Sequence, residues 1–155
     1  MSAVKLKLGP EAETIAGFLL WQVSKLWQQR LALSLQDIDL PPTQAVILAN
    51  VLRLSEEGGE VTQSSLSKAT KVDRMTASQT LRSLEEKRLI TRQSSKKDSR
   101  TNQIRLTDRG RETAFETVAR LAAAHQAFFR PLKGDKGKMV SYLQRLVRAN
   151  DLTEL

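Results

Sequence analysis

The chain contains no cysteine, which removes disulfides, thiolate nucleophiles, cysteine-ligated metals and thiol redox sensing in one step. Histidine is almost as scarce, with His125 the single example, so the usual zinc ligand sets cannot be assembled and no metal site is expected. Aromatic residues make up only 5% of the chain. That is too few for a base-stacking platform or a lipid-belt surface, and it requires an aliphatic core. No run approaches the roughly 18 apolar residues a membrane span would need, and the N-terminal MSAVKLKLGPEAET lacks the apolar stretch of a secretory leader. A cytoplasmic location and no membrane partner are the default expectations. Gly-rich phosphate loops are missing too, because Gly58 and Gly59 fit a helix end. No nucleophile and base are recognisably paired, so neither catalysis nor a cofactor is expected.

What the chain does have is positive charge. Its formal net charge is +8 and its pI is near 10.1, values that suit an acidic partner. Between residues 61 and 106 stand eleven lysines and arginines against four acids. That stretch carries nearly the whole surplus in under a third of the chain. A solvated basic face is the bland reading, but such concentration favours an anion-binding module. With 155 residues, 40% of them hydrophobic and 27% charged, the chain is long enough for one globular core. Domains of this size bury about 70% of their unfolded surface, so a single domain over 1–155 is expected.

Apolar periodicity supplies the elements. Ile15, Phe18, Leu19, Val23, Leu26 and Trp27 recur at spacings of three and four, predicting an amphipathic helix over 11–35. Pro41 and Pro42 break it. TQAVILANVLRLSEEGG then resumes a helix whose apolar positions are almost continuous, predicting the most buried helix of the fold. VTQSSLSKATKVDRMTASQTLRSLEEKRL reads as two short helices with a turn around Lys71 and Val72, their first turns capped by Thr62 and Asp73. Ala77, Leu81 and Leu84 give the second of these a buried side. LITRQSS and QIRL alternate about the polar KKDSRTN, a hairpin with a basic tip in which Ile104 and Leu106 share a face. Thr107 would cap a long helix with apolar positions Ala114, Phe115, Val118, Leu121, Ala122 and Phe128, ending at Pro131. A last helix over 135–149 carries Met139, Tyr142, Leu143, Leu146 and Val147. The fold class is therefore mainly α with a small β-hairpin.

Two short helices joined by a tight turn, the second polar outward, form a helix-turn-helix, whose second helix enters the major groove with its N-terminal residues on base edges. The expected reading set is Arg74, Met75, Thr76, Ser78, Gln79 and Arg82. Arginine can grip guanine bidentately and glutamine can pair with adenine. Taken singly, Ser, Thr and Gln equally well solvate a helix surface; as a set they favour contact. Thr62, Gln63, Ser64 and Ser65 at the first short helix, with Arg92 on the strand, are the expected backbone contacts. The hairpin brings Lys96, Lys97 and Arg100, and an arginine inserted in a narrow minor groove gains from its negative potential. Asp98 would be repelled by phosphates, so its expected task is to pin a neighbouring guanidinium by a charge-assisted bond.

The run LSKATKVDRMTASQTLRSLEEKRLITR followed by DSRTNQIRLTDRG resembles the signature of the MarR family of winged helix-turn-helix transcription regulators. Asp98, Arg100, Leu106, Thr107 and Gly110 fall on the family's wing motif D-x-R-x-x-x-x-x-L-T-x-x-G. The resemblance implies a homodimer, with dimerisation helices over 11–37 and 111–150 flanking a winged helix-turn-helix region over 41–110. It also implies two modules reading an inverted repeat in double-stranded DNA, Arg100 in the minor groove, and release by a small aromatic or anionic effector. Repression is the expected sign. Trp21, Trp27 and Phe128, with His125, are candidates for an effector cleft, although aromatics on amphipathic helices more often serve core or dimer interface. Three departures stand out: Arg88 replaces the family's glycine, Pro41 replaces its hydroxyl cap, and no cysteine exists to act as a peroxide switch. The alternative function is a winged module for protein or RNA contact, since fold does not fix function.

Overall fold

The computed structural model describes residues 15–95 and 100–151. Within them run α1 (Ala16–Leu35), a 3-10 turn (Gln36–Ile38), α2 (Pro42–Glu56), α3 (Gln63–Thr70) and α4 (Arg74–Glu86). Strands β1 (Ile90–Ser94) and β2 (Asn102–Leu106) follow, then α5 (Asp108–Phe129), a 3-10 segment (Arg130–Asp135) and α6 (Lys136–Ala149). The order is the one the periodicity predicts. The expected helix start at residue 11 and the wing-tip residues Lys96, Lys97 and Asp98 lie outside the described residues.

Helix α2 is the hub, packing against α1, α3, α4, α5 and β2. Ala45, Ile47, Leu48 and Val51 are wholly buried on it, which is why its apolar positions run on without a polar stripe. Pro41 stands at its N-cap with no side-chain bond, and Pro42 takes the first helical position, where a missing N–H loses no intrahelical partner. The core around it is aliphatic, with Leu31, Leu35, Val61, Leu66, Leu81, Leu84, Ile90 and Ile104 among its members.

Local capping sets the ends of the shorter helices. The Thr62 hydroxyl accepts from the Ser65 amide at 3.1 Å and the Ser65 hydroxyl accepts from the Thr62 amide at 2.9 Å, a reciprocal box. Lys71 closes α3 at φ 57°, and Arg88 follows α4 at φ 57°. For a residue with a Cβ that region costs about 1–2 kcal/mol, the penalty anticipated at Arg88 from the absent glycine.

The hairpin pairs Ile90 with Leu106, Arg92 with Ile104 and Ser94 with Asn102. An isolated bridge adds to this two-stranded sheet: the Ile104 amide donates to the Val61 carbonyl at 2.7 Å, and Thr62 bridges to Gln103. The wing is thereby stitched to the start of α3.

Of the apolar positions expected on α5, Ala114 is buried and Leu121 packs against the core. Phe115 and Val118 are exposed, and the buried positions are Gly110, Ala114, Thr117 and Ala124. Small residues at spacings of three and four let α5 lie close against the core, with Leu121 packed against it and Phe115 and Val118 left exposed. In α1 only Leu31 and Leu35 are buried, and α6 buries none of its residues. The C-terminal end of α6 is nevertheless fastened, because Asp151 forms an ion pair with Lys71 in the turn between α3 and α4.

Candidate nucleic-acid interface

Helix α4 is oriented by its apolar side. Ala77, Thr80, Leu81 and Leu84 are buried, and the period of 3.6 residues places Met75, Gln79 and Arg82 on the opposite stripe. Arg74, Met75, Gln79 and Arg82 are exposed, with Ser78 half-buried beside them. Two bonds hold the helix in place. The Gln44 amide donates to the Ser83 hydroxyl at 3.0 Å from α2, and the Gln63 amide donates to the Arg74 carbonyl at 3.2 Å from α3.

Thr76 stands apart from the rest of the expected reading set. Asp73 accepts from the Thr76 amide at 2.9 Å and from the Thr76 hydroxyl at 2.6 Å. The hydroxyl bond is the larger reason, and the amide the next, that the Asp73 carboxyl lies below the usual carboxylate range. The Thr76 hydroxyl proton is therefore committed to the cap. Thr62 and Ser65 are likewise engaged in capping α3, and Gln63 in steadying α4, leaving Ser64 as the exposed member of that group.

Arg92 is braced rather than extended. Its Nε and Nη2 donate to Glu85 Oε2 at 2.9 Å and 2.5 Å, joining β1 to α4. This bond chiefly holds the Glu85 carboxyl below its ordinary range, with the charge of Arg92 adding to it. Glu85 thus competes with any phosphate for this guanidinium, a partnership the sequence concealed because the two residues stand on different elements.

A cleft of about 400 Å3 opens between α3, α4 and the wing, and Thr62, Gln63, Ser64, Arg74, Arg92 and Arg100 line it. Residues expected to touch DNA from three separate segments meet on one surface there. Thr101 and Asn102 line it as well and went unnoticed in the sequence as part of a polar tip. The wing's far end is closed by the Ser95 amide donating to the Thr101 carbonyl at 2.8 Å and the Ser95 hydroxyl donating to Glu60 at 2.9 Å.

The effector candidates do not all converge. Trp27 packs at ring-centre distances of 6.3, 5.2 and 5.7 Å from His125, Phe128 and Phe129, closing the junction of α1 with the end of α5. Burial there, with the charge of Lys136 second, holds the His125 imidazole below its usual range. Trp21 is outside the cluster, 62% exposed, with the Lys25 ammonium 4.8 Å from its ring centre. Among the described residues no group of three or more metal-ligating side chains is placed to hold an ion, and no helix is long and apolar enough to cross a membrane.

A capped two-helix reading unit, an exposed polar stripe on its second helix and a cationic hairpin beside it define a winged helix-turn-helix protein. A profile described as the MarR family matches residues 38–101. The HTH-type transcriptional regulator YdcH of Bacillus subtilis (strain 168), itself uncharacterized, is 32% identical over 135 residues, spanning 87% of this chain and 91% of that protein. The chain belongs to the MarR family of winged helix-turn-helix transcription regulators, a family of DNA-binding regulators rather than enzymes. The fold is shared with S. aureus MepR in its DNA complex, with a TM-score of 0.77 and 24% identity over 87% of this chain and 98% of that one. It is shared also with CouR from Rhodococcus jostii RHA1 bound to p-coumaroyl-CoA, with a TM-score of 0.73 and 20% identity over 95% of this chain and 99% of that one.

Proposed function

We propose that the protein is a homodimeric repressor that reads an inverted repeat, each protomer laying α4 in the major groove and reaching the flanking minor groove with Arg100. The observation that carries this reading is the meeting of Arg74, Arg92 and Arg100 around one cleft beside the exposed stripe of α4. Phosphates are held by the cations and by Ser64, and base edges are read by Arg74, Gln79 and Arg82.

Dimerisation supplies the second reading head. Its support is the apolar surface of α1 and α6, which the protomer leaves exposed. Release follows when a small aromatic or anionic molecule binds near Trp27, His125 and Phe128. CouR, crystallised with p-coumaroyl-CoA, is one protein of this fold that takes such a ligand. An effector acts only by preferring the state in which the two α4 helices are wrongly spaced for successive major grooves.

The test is a titration with duplexes selected from a random pool, repeated at rising salt. With about seven phosphate contacts per dimer, affinity should fall roughly a thousandfold or more between about 50 and 200 mM salt. Arg100→Ala should weaken binding and lose preference for A/T-rich flanks. Salt-insensitive association, or none, would overturn the DNA reading in favour of a protein-contact module.

A further inference from the structure

We infer that Met75 is a specificity-determining residue that reads the 5-methyl group of a pyrimidine at one position in each half-site, an inference that rests on the reading of DNA by α4. Met75 is 72% exposed, more than any other large apolar side chain in the described residues. It does nothing for the core, which α4 meets through Ala77, Thr80, Leu81 and Leu84. Solvation is no reason for it either, since a thioether has little to offer water.

Its surroundings narrow the role. Met75 shares a shallow depression with Gln63, Arg74, Ser78, Gln79 and Arg82, so every neighbour there is polar or cationic. A surface built to dock another protein would place further apolar groups around such an anchor. Here a single one stands in a basic field. It is the second residue of α4, four before Gln79 and seven before Arg82 on the stripe opposite the buried face, and the N-terminal residues of a recognition helix are those that approach base edges.

The floor of the major groove offers one apolar feature, the methyl on C5 of thymine, which 5-methylcytosine also carries. An unbranched, polarisable side chain with three rotatable bonds fits against such a methyl without demanding an exact backbone position. Arg74 and Gln79, flanking it, fix the register by polar contacts with neighbouring base pairs. Met75 then distinguishes a pyrimidine carrying the methyl from one lacking it, a difference that hydrogen bonding does not report.

Deoxyuridine differs from thymidine only in that methyl and keeps the pairing pattern unchanged. Using the full chain and a duplex selected from a random pool, each thymine of a half-site is replaced in turn by uracil. At one symmetry-related pair the wild type should lose about fourfold in affinity per methyl, the effect of burying one such group. Met75→Ala should bind the thymine duplex with that same loss and show no further uracil penalty. Placing cytosine at the position should weaken binding, and 5-methylcytosine should recover part of it for the wild type alone. Equal wild-type affinity with uracil at every thymine, a half-site without thymine, or a Met75→Ala variant that keeps the uracil penalty would overturn the assignment. Failure to select any duplex would overturn the DNA reading together with it.

Discussion

Gly110 begins α5 against the backbone of Leu89: a Cβ built on it would overlap the Leu89 carbonyl oxygen and lie 2.7 Å from the carbonyl carbon. The obstacle is main chain, which cannot rotate aside. Thr107 adds to the constraint, because its hydroxyl donates to the Arg88 carbonyl at 2.8 Å while accepting from the Gly110 amide at 2.9 Å. Gly110→Ala should therefore cost about 2–3 kcal/mol, at the upper end of overpacking, read as a lowered urea midpoint with unchanged slope. An unchanged midpoint would show that α5 can shift to make room. In the sequence Gly110 was visible only as a motif position, since the clash arises between residues on different elements. Arg88 was better signposted: a non-glycine residue closing a helix where glycine is usual already announces a left-handed backbone.

Capping made the ends of the elements legible. Thr62, Asp73 and Thr107 each accept from an amide three residues ahead, a bond that depends on nearby residues alone. The pairing of Val61 with Ile104 crosses more than forty positions, and no local pattern marks it. Thr62 takes part in both, capping α3 with its side chain and bridging to Gln103 with its backbone. Thr62→Ala should cost about 1 kcal/mol by loss of the cap. The slack should spread to the wing, so the amides of Ser65 and Ile104 should exchange faster with solvent than in the wild type. Thr62→Ser keeps the hydroxyl and should preserve both protections; equal damage in the two variants would remove the cap as the cause. The same separation between local and distant signals explains α5, where alternation of apolar residues was plain but the side facing the core was not. Packing buried Ala114, Thr117 and Ala124 and left Phe115 and Val118 exposed, a choice among apolar positions that the sequence alone does not make.

At the scale of the whole molecule the distribution of exposed apolar side chains is uneven. Of thirteen large ones in the described residues, ten belong to α1 and α6, among them Phe18, Leu26, Tyr142, Leu146 and Val147. Helix α6, which buries none of its residues in its own chain, and the α1 side chains left exposed beyond Leu31 and Leu35 are suited to cover another surface. In the homodimer proposed above, a second copy presenting the same α1 and α6 faces would supply that surface by two-fold symmetry. The periodicity of α6 was readable in the sequence; that none of its residues is buried in the protomer was not, because periodicity marks an apolar side without marking what covers it. Leu146→Glu places a charge in the middle of the face, and burying it unpaired opposes association. The variant should sediment as a monomer with its helical circular dichroism retained, since Leu146 is 53% exposed in the protomer. Its affinity for an inverted repeat should fall roughly a hundredfold or more, the advantage that linking two heads confers, while binding to an isolated half-site changes little. The ion pair of Asp151 with Lys71 ties the end of α6 to the turn before α4 within the protomer. A Leu146→Glu protein that stays dimeric and binds the repeat as tightly as wild type would mean that this face is not the one joining the protomers.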